Sequence, residues 1–198
     1  MSNECGGGSA IAFVRRTLRF LEQYSNSINL PEQSKSEAKS IAEKSIMLGV
    51  ATGYKPEEVA AASIYTVCRK NKTPLPIKEV AKLANVDSTK VVRLYRKILT
   101  SLGIKVPVSD PETYLVRRIA PILGVGSEIL TRALEIIRRV KSKGLIGGKN
   151  PGALAAAALY VAALHQRQPV KISKLARVSG VTSVTIRNCV RRLTQLMY

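Results

Sequence analysis

Little in these 198 residues is equipped for chemistry on a small molecule. Tryptophan is absent, histidine occurs once (His165), and the three cysteines, Cys5, Cys68 and Cys189, are odd in number and far apart. That spacing excludes a disulfide framework and a Cys-x-x-Cys zinc site. His165 has no metal-ligand spacing around it and reads as a residue at a helix end. A paired-carboxylate site and a Ser/His/Asp arrangement are lacking, and Gly6-Gly7-Gly8 has neither a preceding strand nor the spacing of a phosphate-binding loop. No enzyme, no cofactor and no metal are therefore expected. No stretch approaches about 18 uncharged apolar residues and no charged-then-apolar leader opens the chain, so no membrane partner is expected and the protein reads as soluble and intracellular. Acidic residues are the other scarcity: 13 stand against 32 Lys plus Arg, a net charge of +19. An excess of that size calls for a polyanion, and nucleic acid is the commonest one. The 45% hydrophobic content nevertheless places the chain with folded proteins.

What is present is a domain-sized duplication. Sliding the sequence against itself by 95 residues sets Pro56 on Pro151, Ala60-Ala61-Ala62 on Ala155-Ala156-Ala157, Tyr65 on Tyr160 and Pro74 on Pro169. The register continues with Ile77 on Ile172, Val86 on Val181, Ser88 on Ser183 and Arg96 on Arg191, and upstream with Gly49 on Gly144 and Gly53 on Gly148. The period is far too long for a solenoid unit, so each copy should own a core.

Each copy reads as five helices without a strand, an all-α chain. Met1 to Ala10 reads as a disordered leader. The first copy spans 11–105, with helices predicted at 11–28, 33–51, 57–70, 77–84 and 87–102; the third follows Pro56, whose position suits a helix start, and is rich in alanine, which suits a central, closely packed helix. The linker is 106–111, held extended by its prolines. The second copy, 112–198, repeats the plan at 112–124, 127–143, 151–166, 171–179 and 182–197. By charge, residues 1–105 hold 17 basic and 9 acidic residues, and 106–198 hold 15 and 4, so the second copy is the more basic.

The stretch from Lys171 to Leu196 reads as two helices joined by a tight turn. Leu175 and Val178 give the first helix an apolar side, and Val181, Ile186, Cys189, Val190 and Leu193 do so for the second. Gly180 suits the left-handed residue that closes a helix, and Thr182 can cap the next one. Ser183, Val184, Thr185, Arg187 and Asn188 then stand near a helix N-terminus, where helix-turn-helix proteins place base-reading side chains. The same residues also suit a basic helical hairpin whose polar groups are merely solvated. In the first copy Asn85 replaces Gly180 and Asp87 replaces Thr182, building the same turn from different residues. Its last helix leaves Lys90, Arg93, Arg96 and Lys97 on one face, with no acid after Asp87.

The run from Gly148-Lys-Asn-Pro-Gly-Ala-Leu through Tyr160 to Ala162, followed by Gly180-Val-Thr-Ser-Val-Thr-Ile-Arg-Asn188, resembles the second repeat of archaeal transcription factor B, counterpart of the eukaryotic general factor IIB. Val106-Pro-Val-Ser-Asp-Pro111 is similar to that family's inter-repeat linker. The resemblance covers about residues 11–198. It implies two tandem five-helix cyclin-like repeats, the second ending in a helix-turn-helix. It also implies an initiation factor core, a monomer in the archaeal cytoplasm at the nucleoid, that binds a TATA-box-binding protein on double-stranded promoter DNA and reads the element upstream of the TATA box. The family's base-contacting positions fall on Val184 and Arg187, a methyl for thymine and a guanidinium fork for guanine. Thr182, Ser183, Thr185, Asn188 and Arg191, with Lys90 and Arg93 of the first copy, are then expected at the DNA backbone or fixing register.

Three departures qualify the resemblance. The family's N-terminal zinc ribbon, which engages RNA polymerase, has no counterpart in these residues, and Cys5 has no partners; polymerase is expected as a partner only if a ribbon lies outside this chain. A core fragment and a paralogue that occupies promoters without recruiting polymerase both stay open. Ile172 occupies a position that is often polar in relatives and reads as core, and Tyr54 replaces a usual basic residue. From a different class, a cyclin-like protein-interaction module also fits the helical duplication, though it needs neither the charge nor the recognition helix.

Overall fold

The computed structural model describes residues 6–144 and 150–197. Among them there are ten helices and no strand. The chain divides into two compact units, Met1–Pro107 and Val108–Tyr198. The first holds α1 (Gly6–Ser27), α2 (Glu32–Met47), α3 (Pro56–Lys70), α4 (Ile77–Leu83) and α5 (Ser88–Ser101). The second opens with α6, which is α-helical over Pro111–Tyr114, π-helical over Leu115–Ile119 and α-helical again over Ala120–Leu123. It continues with α7 (Ser127–Ser142), α8 (Pro151–His165), α9 (Ile172–Ser179) and α10 (Ser183–Met197).

The duplication is written into the backbone. Asn29 and Gly124, Gly49 and Gly144, Lys72 and Arg167, and Asn85 and Gly180 all take positive φ, and each pair is 95 residues apart. Helix ends therefore recur at corresponding places even where the residue changes, because the left-handed conformation is what stops a helix and redirects the chain.

The central helices α3 and α8 fill the middle of their units. Val59 to Ile64 of α3 are all buried, and so is every residue of α8 from Gly152 to Leu159. Alanine on every side lets the surrounding helices approach closely, and a helix that is apolar all round has to be enclosed. Around α3 the core contains Leu21, Ile64, Leu94 and Ile98; around α8 it contains Leu115, Ile119, Ile137, Leu154, Leu175, Ile186 and Leu193. Each unit thus has its own apolar interior. Of the buried hydroxyls, those of Ser45, Thr66 and Ser179 donate to carbonyls four residues back, whereas Ser63 Oγ in α3 is buried without a hydrogen-bond partner.

Three sequence expectations change. The helix predicted at 11–28 begins at Gly6, so Gly6 to Ala10, read as a leader, belong to α1; Met1 to Cys5 lie outside the described residues. Gly49 takes φ 69 and ends α2 at Met47, four residues before the predicted end. Pro111, assigned to the linker, is the first residue of α6, and Asp110 caps that helix by accepting from the Thr113 N–H at 3.0 Å. Gly148 and Lys149 of the second-repeat motif lie outside the described residues.

Candidate nucleic-acid interface

The last two helices are positioned by a turn whose parts are local. Gly180 closes α9 at φ 70, and its N–H donates to the Ala176 carbonyl at 3.0 Å. Thr182 then caps α10: its hydroxyl accepts from the Thr185 N–H at 3.2 Å and lies 2.7 Å from the Thr185 hydroxyl. Leu175, Val178, Ile186 and Leu193 face the interior, and Val181, Cys189 and Val190 pack against it. Ile172 does the same, in keeping with its reading as core.

What remains on α10 is a single outward stripe. Val184, Arg187, Asn188 and Arg191 stand at i, i+3, i+4 and i+7, one helical face, and all four are exposed. Val184 is 61% exposed, an unusual place for a β-branched apolar side chain. Ser183, at the first helical position, is half-buried, whereas Thr182, Thr185 and Arg192 are exposed. Among the described residues no carboxylate pairs with Arg187, Arg191 or Arg192. The reason is compositional: the last acidic residue in the chain is Glu135. The positive end of the α10 dipole is met by neutral hydroxyls, which leave it available to an anion.

The first unit builds the same turn with different electrostatics. Asn85 adopts φ 51, and Asp87 caps α5 by accepting from the Thr89 N–H at 2.9 Å. A carboxylate at that helix end already neutralises the dipole, so the N-terminus of α5 is less inviting to phosphate. Lys90 is exposed but has a partner, with its Nζ 3.4 Å from Oε1 of the buried Glu58. Lys97 lies over the ring of Tyr54, with its Nζ 5.2 Å from the ring centroid. Arg93 and Arg96 are exposed and have no carboxylate partner among the described residues.

Sequence reading missed what holds α9 in place. Tyr114 Oη donates to the Ser179 carbonyl at 2.9 Å, and Arg118 Nε donates to the Val178 carbonyl at 2.7 Å. Both donors come from α6, more than fifty residues away in sequence, and no periodicity or spacing signals such a pairing. The start of α6 is fastened in turn: Lys141 bridges Asp110 and Glu112, each at 2.8 Å, and Arg138 reaches Glu112 at 3.1 Å. The hydrogen bond from Lys141 lowers the Glu112 pKa. Partial burial works against ionisation of Asp110, but its hydrogen bonds from Lys141 and Thr113 outweigh that, and its pKa is also lowered. The same contact with Asp110 raises the pKa of Lys141. Elsewhere, burial pushes the Cys68 thiol up to about 12. His165 ends α8 and is exposed. Among the described residues, no helix is long and apolar enough to cross a membrane and no cluster of metal-ligating side chains occurs.

The sequence matches the family model described as "Transcription factor TFIIB repeat" twice, over residues 13–101 and 104–195. Curated relatives named "Transcription initiation factor IIB" include those of Sulfurisphaera tokodaii and Saccharolobus shibatae, each 42% identical over 182 residues that make up 92% of this chain and 59% of the relative. The relative from Ignicoccus hospitalis is 34% identical over 177 residues, 89% of this chain and 56% of its own length. The chain thus spans somewhat more than half the length of these relatives. With two repeat matches over nearly all of its residues, on two helical units of corresponding design, this chain belongs to the transcription factor IIB repeat family.

Proposed function

We propose that this chain is the promoter-binding core of a general transcription initiation factor, in which α10 enters the major groove of duplex DNA. Val184 packs on a thymine methyl and Arg187 takes two acceptors of a guanine. Thr182, Ser183, Thr185, Asn188 and Arg191 fix the register against the sugar-phosphate backbone, as hydroxyls and helix N-termini do. Arg93 adds a backbone contact from the first unit. Lys90 contributes only the charge left over from its pairing with Glu58. The protein partner is a TATA-box-binding protein already seated on the DNA, and the element read lies upstream of the TATA box.

The observation that carries this reading is the stripe of Val184, Arg187, Asn188 and Arg191, exposed and without a carboxylate partner among the described residues, on a helix whose other face is locked into the core. A cyclin-like protein-docking surface has no need of four such groups in that order. Cationic side chains that neutralise phosphates release counterions, so affinity should fall linearly on a log scale with rising salt. Filter binding to promoter duplex, with and without the TATA-box-binding protein and across a salt series, tests the proposal. Tighter, salt-dependent retention when that protein is present is expected. Retention that is absent in both arms would instead favour the protein-docking alternative.

A further inference from the structure

Gly180 donates to Ala176, so the Val178 and Ser179 carbonyls lie past the last helical acceptor of α9 and need donors from elsewhere. They have them from one helix: Tyr114 Oη on Ser179 at 2.9 Å and Arg118 Nε on Val178 at 2.7 Å. A guanidinium at the C-terminal end of a helix is also favoured by the dipole there. The contact lies immediately before Gly180, the residue about which the direction of α10 is set.

The fit around it is close. A Cβ placed on Gly152, in the first turn of α8, would come within 3.1 Å of both the Ser179 carbonyl and the Tyr114 ring. Glycine at this position is what lets the ring and the α9 terminus share the space beside α8. The first unit has none of this arrangement. The residues 95 positions earlier are Arg19, Gln23 and Glu57, and neither Arg19 nor Gln23 donates a hydrogen bond to α4 among the described residues. The two copies share the turn itself, through Asn85 and Gly180, but the fastening belongs to the copy that carries the exposed stripe.

We propose that Tyr114 and Arg118 are positioning residues for base reading: by holding the last carbonyls of α9 they set the angle at which α10 presents Val184 and Arg187. This rests on the reading of α10 as a groove-entering helix. A contact with a base edge is a matter of tenths of an ångström, whereas contacts with phosphates tolerate reorientation, so loosening the fastening degrades discrimination before it degrades affinity.

The test begins with a pool of duplexes carrying a TATA element and a randomised upstream segment, selected with the wild-type chain and the TATA-box-binding protein. Affinities for the enriched duplex and for a scrambled one are then compared for wild type, Tyr114→Phe, Arg118→Gln and Arg118→Lys, with helicity followed by circular dichroism. Tyr114→Phe removes only a hydroxyl and keeps the ring, so it reports on the hydrogen bond even if Arg118→Gln unfolds. The expected result is a loss of about five- to ten-fold in the ratio of the two affinities for Tyr114→Phe and Arg118→Gln, the low end of what one base contact supplies. Binding to the scrambled duplex and its salt dependence should stay as in wild type, and Arg118→Lys should restore part of the ratio. An unchanged ratio in Tyr114→Phe overturns the inference, as does a parallel loss on both duplexes that follows helicity. If the wild type itself enriches no sequence, the reading of α10 fails first and the positioning role falls with it.

Discussion

Lys90 Nζ lies 3.4 Å from Oε1 of Glu58, whose side chain is 4% exposed, while the positions 95 residues further on hold Thr185 and Ala153. The other oxygen of Glu58 accepts from the Lys55 N–H at 2.9 Å, so one carboxylate both caps α3 and engages an outward residue in the first turn of α5. In the second unit the cap is Asn150, which accepts from the N–H groups of Gly152 and Ala153, and the equivalent of Lys90 is a hydroxyl. The duplicated scaffold has thus separated capping from the outer face in the copy with the exposed stripe and combined them in the other.

The two capping schemes should be interchangeable. Glu58→Ala is expected to lower the stability of the first unit by about 1–2 kcal/mol, the cost of a lost cap with Lys90 set free. Adding Lys55→Asn, which copies Asn150, should recover most of that loss. Urea unfolding of the wild type and of the single and double variants decides it; a double variant no more stable than Glu58→Ala would mean that the pairing with Lys90, and not the cap, dominates.

Arg187→Ala should weaken binding to the preferred duplex by about 1–3 kcal/mol and relax the choice at one base pair. Gel-shift titrations on the wild-type upstream element and on versions altered one base pair at a time give both quantities. Equal losses on every duplex would show that Arg187 touches only phosphate.

Gly180 occupies φ 70, where a Cβ is strained, and Asn85 occupies φ 51 at the same turn of the first unit. Gly180→Ala should therefore cost about 1 kcal/mol, and Gly180→Asn distinctly less, since asparagine tolerates the left-handed region. Thermal unfolding orders the two variants, and a Gly180→Asn variant as unstable as Gly180→Ala would remove the turn conformation as the cause.

The cluster of Asp110, Glu112 and Lys141 makes a definite pH prediction. Both carboxylates have lowered pKa values in the folded chain, so their contribution is complete above the unfolded range near pH 4 and is lost as pH falls through the lower folded values. Lys141 has a raised pKa, so its contribution is complete below the unfolded value near 10.4 and is lost as pH rises beyond it. Lys141→Gln should accordingly be less stable than wild type by a constant margin between about pH 5 and 9, with the margin shrinking in stronger acid. Urea unfolding across pH measures this; a margin as large in strong acid as at neutrality would show that the lysine acts through packing of its stem.

Much of this architecture is local and was therefore legible. Helix length, the apolar faces, the proline starts at Pro56 and Pro151 and the two alternative turn chemistries all depend on residues within a few positions of one another. The start of α1 at Gly6 escaped because three glycines argue against a helix by propensity, which a helix that continues into a packed face can override. Pro111 reads as linker in the sequence because extended and helix-initiating prolines look alike there; the Asp110 cap distinguishes them only once the chain is folded.

By itself, then, the sequence determined the duplication, the helical periodicities, the turn that precedes α10 and the charge imbalance, because each is a property of composition or of neighbours along the chain. Tertiary structure alone decided which basic groups are already engaged and which side chains hold the end of α9. Lys90 meets Glu58 across 32 positions, and Tyr114 and Arg118 meet the end of α9 across 65 and 60. Contacts of that span arise only when separate helices are brought together around α3 and α8, and a pattern read along one helix contains no trace of the side chain that another will deliver to it.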